Sequence, residues 1–130
     1  MRRLCQVTLV VKDYDEAIDW FRRCLQFELT KDVALGAGKR WVVVSPGGDG
    51  AEIVLAKAAD DQQQEAIGRQ TGGRVGFFLQ TDDFDRDYDA FRKAGVTFLE
   101  RPRTEPYGKV VQFADLYENK WDLIEITPAS

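Results

Sequence analysis

With 130 residues, 44% of them hydrophobic and 31% charged, the chain has enough apolar side chains for one domain with a real core and is too apolar to stay disordered. No apolar run reaches the roughly 18 residues of a membrane-spanning helix. A net charge of −4 argues against a nucleic-acid partner and suits a neutral or cationic small molecule. The complete lack of histidine removes Ser-His and Cys-His nucleophile pairs.

The N-terminal stretch MRRLCQVTLVVKD has two arginines, a short apolar run and no small-residue cleavage site. It reads as a first strand over residues 4–11 and not as a signal peptide, which suggests a cytoplasmic protein. Alternation gives Cys5, Val7, Leu9 and Val11 to a helix-packed face and Leu4, Gln6, Thr8 and Val10 to the other. Asp13 is placed to cap a helix in which Tyr14, Ile18, Phe21 and Leu25 recur at helical spacing. Cys24 lies on that helix, and with Cys5 it reads as a buried reduced thiol. Three strand-like runs follow, ELTKDV, KRWVVVS and AEIVLA, separated by the breaks GAG and PGGDG. The stretch AADDQQQEAIGRQTGG is a polar linker with room for a short helix. Beyond it come RVGFFLQ, a helix with Phe84, Tyr88 and Phe91 inward and Gly95 at its C-terminal end, then VTFLE, KVVQFAD and KWDLIEI.

The second half repeats the first. At a constant offset of seventy, Leu9 falls on Leu79, Asp13 on Asp83, Asp15 on Asp85, Asp19 on Asp89, Phe21 on Phe91 and Arg22 on Arg92. Gly38-Lys39 falls on Gly108-Lys109 in the same register. The chain is thus expected to be α+β, with two tandem βαβββ units at about 1–58 and 73–130 joined by the linker. The same offset carries Gln6 onto Gly76 and Glu52 onto Asp122. Carboxylates in central strands are costly to bury, so two at matching places suggest a shared use.

The opening VTLVVKDYDEAIDWF and the closing EPYGKVVQFADLYENKWDLIEI resemble the glyoxalase/bleomycin resistance/dioxygenase (vicinal oxygen chelate) superfamily over essentially the whole chain. The resemblance implies a curved mixed sheet around a cavity, helices on the outer face, and a homodimer. It implies four metal positions, which fall here on Gln6, Glu52, Gly76 and Asp122. Gly76 cannot ligate, and Asp122 is a methylene shorter than the usual glutamate. Two positions that the family gives to glycine hold Gln26 and Glu118, where positive φ is expected.

Two function classes follow. The first is a protein that binds a small molecule in its cavity with no cofactor, its three oxygen side chains forming a polar cluster, as in antibiotic-sequestering members. The alternative is a metal-dependent lyase resembling glyoxalase I, with Mn, Ni, Mg or Zn, Glu52 as catalytic base, Asp122 as its partner and Gln6 as a neutral ligand. A dioxygenase fits less well, because that branch holds iron with histidines. Strand parity, with Trp41 and Val43 assigned to the helix side, gives Arg40, Arg74, Phe78, Gln80, Val110 and Gln112 to the cavity. Arg40 or Arg74 could hold a carboxylate or phosphate, or pair at the rim with Glu52, Asp122 or solvent. Tyr107 could close over the cavity mouth or only pack its turn, while Trp20 and Trp121 read as core.

Overall fold

The computed structural model of the chain describes residues 1–128. Among them the architecture is mixed α+β, with nine strands in two sheets and three helices. Two compact units divide at residue 70, Met1–Gln70 and Thr71–Ser130. No helix among the described residues is long and apolar enough to cross a membrane.

In the first unit, β1 (Gln6–Val11) leads into α1 (Tyr14–Leu25). Asp13 has extended backbone and accepts a hydrogen bond from the Glu16 amide at 2.8 Å, so the helix starts where the sequence caps it. Tyr14, Ile18, Phe21 and Leu25 are all buried, and Trp20 packs edge-on to Phe21 in the same core. Cys24 is buried with them; Cys5 was expected to be buried but is exposed, because β1 begins one residue after it. The helix ends on Gln26 at φ 60, with the Phe27 amide bonded back to the Phe21 carbonyl. Strands β2 (Glu28–Gly36), β3 (Lys39–Ser45) and β4 (Glu52–Lys57) complete a sheet of order β1-β4-β3-β2. A short α2 (Asp61–Ala66) follows, and then Gln70, whose side chain reaches the free edge of β1. Its Oε1 accepts from the Val10 amide and its Nε2 donates to the Thr8 carbonyl at 3.0 Å.

The second unit follows the same order with two short strands where the first has β2: β5 (Val75–Gln80), α3 (Phe84–Lys93), β6 (Thr97–Phe98), β7 (Arg103–Glu105), β8 (Gly108–Ala114) and β9 (Lys120–Ile126). Its sheet runs β5-β9-β8-β6, with β7 also on β8. The core is aromatic: Phe77 stacks on Trp121, Trp121 on Phe113, and Phe91 meets Phe113 edge-on. Asp115, only 5% exposed, joins β8 to β9. Its carboxylate accepts from the amides of Tyr117 and Asn119, the Asn119 side chain and Trp121 Nε1, all within 3.1 Å. That turn lets Glu118 hold φ 72, as its place in the sequence predicts. Gly108 admits no side chain, because a Cβ there would lie 2.0 Å from the Glu125 carbonyl oxygen.

The constant offset of seventy fails inside the units, and its failure changes the faces. Asp13 and Asp83 cap their helices seventy apart, but α1 is longer than α3, and the left-handed residues that end them are Gln26 and Gly95. The next strands therefore match at sixty-nine: Gly36 faces Lys39 across the first turn, and Glu105 faces Gly108 across the second. A one-residue slip moves a strand's side chains to the opposite face. Trp41 and Val43 were expected against the helix, like Val111 and Phe113. Instead Val43 pairs with Val54, which pairs with Thr8, on the face away from α1. Arg40, expected on the cavity side, lies on the helix side with Val42 and Val44. A further residue is lost in the last turn, so β9 matches β4 at sixty-eight, with Leu9 facing Leu55 and Leu79 facing Leu123.

On the helix side Arg40 ties three elements together. Its guanidinium forms a two-pronged contact with Asp32, at 3.0 and 2.7 Å, and reaches Asp15 of α1 at 3.0 Å. It also lies 5.0 Å from the centre of the Tyr14 ring.

Two predictions follow from this packing. Asp115→Ala removes the buried acceptor shared by Trp121 Nε1 and Asn119, and urea unfolding should show a loss of about 3 kcal/mol; a loss below ~1 kcal/mol would mean that the turn does not depend on this carboxylate. The Arg40 hydrogen bonds hold the Asp32 carboxyl below its usual value of 3.8. The stability they contribute is thus complete above that value and fades as pH falls through the lowered one. Melting curves of Asp32→Asn and the parent should differ at pH 6 and converge toward pH 2; a constant gap would assign the effect to packing.

Candidate functional site

Gln6 and Glu52 face each other across the parallel β1–β4 ladder, on the side away from α1. Thr30, the extra residue in a β2 bulge, places its hydroxyl 2.9 Å from Glu52 Oε2. In the second unit Asp122 faces Phe78 on β5 and Gln112 on β8, again away from the helix. Lys120, not Asp122, takes the ladder place that Glu52 holds, because of the residue lost before β9. Gly76 is the unpaired residue between the Val75↔Lys120 and Phe77↔Trp121 pairs. A Cβ on it would lie 2.6 Å from the Thr71 methyl carbon, so the fourth position is closed to a side chain until Thr71 turns away.

A divalent ion needs several converging donors. The first unit offers Gln6 and Glu52, the second Asp122 alone, and no group of three His, Cys, Asp or Glu able to hold a metal occurs among the described residues. The residues present within each unit do not fit a metal. Asp122 Oδ1 is buried without a hydrogen-bond partner, and burial pushes that carboxyl above its usual range against the pull of Arg103. Arg103 is itself held by Glu100 at 3.1 Å and Glu105 at 2.8 Å.

Phe78, Gln80 and Gln112 share the Asp122 face of the second sheet, and Phe78 is 69% exposed. Arg74 precedes β5, exposed and in no ion pair among the described residues. Tyr107, in the β7–β8 turn, is half exposed with its hydroxyl 3.4 Å from Arg103.

A cleft of about 680 Å³ opens in the first unit. The β3–β4 ladder is formed at Val43↔Val54 and Val44↔Ile53 and goes no further toward Lys39. Past it the Arg40 amide donates to the Tyr14 hydroxyl at 3.1 Å instead of to β4. Tyr14, Lys39, Arg40 and Trp41 line one side of the opening and residues 54–59 the other. Of these only Arg40 was singled out from the sequence. The signal that could have found the rest is the Lys39-Arg40-Trp41 run directly after a turn in which Gly36, Ala37 and Gly38 all have positive φ. Ala37 and Gly38 form the two-residue hairpin turn that closes β2 on β3 and places this run at the mouth of the opening.

A profile of the Glyoxalase/Bleomycin resistance protein/Dioxygenase superfamily matches residues 3–123. An uncharacterized protein of Shewanella frigidimarina (strain NCIMB 400) is 46% identical over 125 residues, which are 95% of this chain and 93% of that one. Among solved structures, UcmS2 is 30% identical with a TM-score of 0.82, covering 95% of this chain and 98% of its own. TnmS3, an antibiotic binding protein from Streptomyces sp. CB03234, is 25% identical with a TM-score of 0.78 and 98% coverage of both chains. Mixed α+β architecture, capped helices at matching places and a family match over residues 3–123 lead to one conclusion: the chain belongs to the glyoxalase/bleomycin resistance protein/dioxygenase superfamily.

Proposed function

We propose that the protein is a small-molecule-binding member of this superfamily that works without a metal ion, as a homodimer in the cytoplasm. The observation that carries the reading is the cleft between β3 and β4. Its volume of about 680 Å³ falls in the range of small-molecule sites, and aromatic, aliphatic and polar side chains line it together. Two further points support it. The donor positions fall short of a metal site in each unit. A structural neighbour of similar sequence is an antibiotic binding protein.

Within this reading Arg40 acts from the helix side, as part of the cleft wall. Its guanidinium is already taken by Asp32 and Asp15, so it stiffens the wall and does not seek a second anion. Phe78, Gln80 and Gln112, with Arg74 and Tyr107 at the margins, would form a second contact surface on the other unit. Glu52, Asp122 and Gln6 would serve as hydrogen-bonding groups for polar atoms of the ligand and not as metal ligands or catalytic groups.

A thermal-shift screen of neutral, cationic and anionic apolar compounds tests the binding role. A ligand at 100 times its Kd stabilises the fold by about 2.7 kcal/mol, a shift of several degrees for a domain of this size. Trp41→Ala should reduce that shift by about a third. A screen in which no compound moves the melting temperature, alongside turnover of some substrate, would end the proposal. Native mass spectrometry after exposure to Mn²⁺, Ni²⁺ and Zn²⁺ should find no stoichiometric ion. One ion per site, lost in Glu52→Gln, would instead restore the lyase reading.

A further inference from the structure

The cleft has a charge that the chain as a whole does not. The protein carries 22 acidic and 18 basic side chains, yet no Asp or Glu lines this opening, while Lys39, Arg40 and Lys57 do. Arg40 is neutralised by Asp32 and Asp15 outside the lining. Lys39 and Lys57 form no ion pair among the described residues. They enter from opposite faces of the sheet: Lys39 shares the face of Trp41, and Lys57 pairs with Val11 on the helix-packed face. Both lysines line the gap, each without an ion pair among the described residues. The partly exposed Trp41 ring and the small side chains Ala56, Ala58 and Ala59 line the same opening. Small residues opposite an indole leave room for a flat body, and two ammonium groups beyond it leave a negative group as the complementary partner.

We propose that this cleft selects an organic anion with an aromatic body, such as an aryl carboxylate, sulfonate or phenolate. The inference rests on the small-molecule reading above and reverses the preference for neutral or cationic ligands that the net charge suggests. The lining runs along β4 from Val54 to its C-terminal end and includes Thr8 of β1, whereas Gln6 and Glu52 lie at the starts of these strands. None of Gln6, Glu52, Gly76 and Asp122 lines it.

The test compares two probes with related rings, 8-anilinonaphthalene-1-sulfonate and the uncharged N-phenyl-1-naphthylamine, by fluorescence titration of the full chain. One sulfonate probe should bind per chain, at least tenfold tighter than the uncharged one. Raising NaCl from 50 to 500 mM should weaken the sulfonate probe alone. The double variant Lys39→Gln/Lys57→Gln should lose about tenfold in sulfonate affinity, and Trp41→Ala about fivefold for both probes. If the double variant does not fold, as judged by circular dichroism, the salt series on the parent protein decides. Equal affinity for the two probes, or a sulfonate affinity untouched by salt and by the lysine changes, overturns the anion preference and leaves small-molecule binding standing. If neither probe binds, the anion site is wrong, and the wider reading is decided separately by the melting screen.

Discussion

Each sheet can show its helix only every second side chain, and the cross-strand register decides which set that is. In the first unit the β3–β4 pairing at Val43↔Val54 commits Val42, Val44 and Arg40 to α1 and sends Val43 and Trp41 to the other face. In the second unit the β8–β9 pairing commits Val111 and Phe113 to α3, and leaves Val110, Gln112 and Asp122 opposite. The helix caps, the Arg40 cluster and the aromatic stack around Trp121 are built on those two choices. The composition of the cleft in the first unit follows from the same choice, since it is the slipped strand that delivers Trp41 to the open side.

Much of this was legible before any coordinates. Asp13 and Asp83 cap their helices, the apolar stripe of α1 is buried, and Gln26 and Glu118 take the left-handed backbone that their positions imply. These are local matters, settled by a side chain and a few neighbouring amides. The face of β3 was not legible, because parity depends on counting residues across a helix end and two turns. One extra residue in the last turn of α1 is harmless to the helix and reverses everything on the next strand. Lys39 and Lys57 escaped for a related reason: nothing in the sequence says where a ladder stops.

The donor positions show how a shared fold can carry different side chains at matching places. Gln6 and Glu52 keep their mutual register, and Asp122 keeps its side of the sheet. Gly76 sits as the extra residue of a bulge pressed against Thr71. Bulges redirect side chains and alter local pairing, so a side chain placed at 76 would not point as one does from a regular ladder position.

Gln70 has a consequence beyond its two hydrogen bonds. A strand at the border of a sheet offers unpaired amides and carbonyls to any passing chain, which invites intermolecular pairing and aggregation. Across Thr8 and Val10, the Gln70 side chain imitates the backbone of a neighbouring strand, donating and accepting once each. The segment between the repeats is thus a guard as well as a tether. A fragment cut just before it would keep all four strands of the first sheet and lose the cover that keeps them solitary.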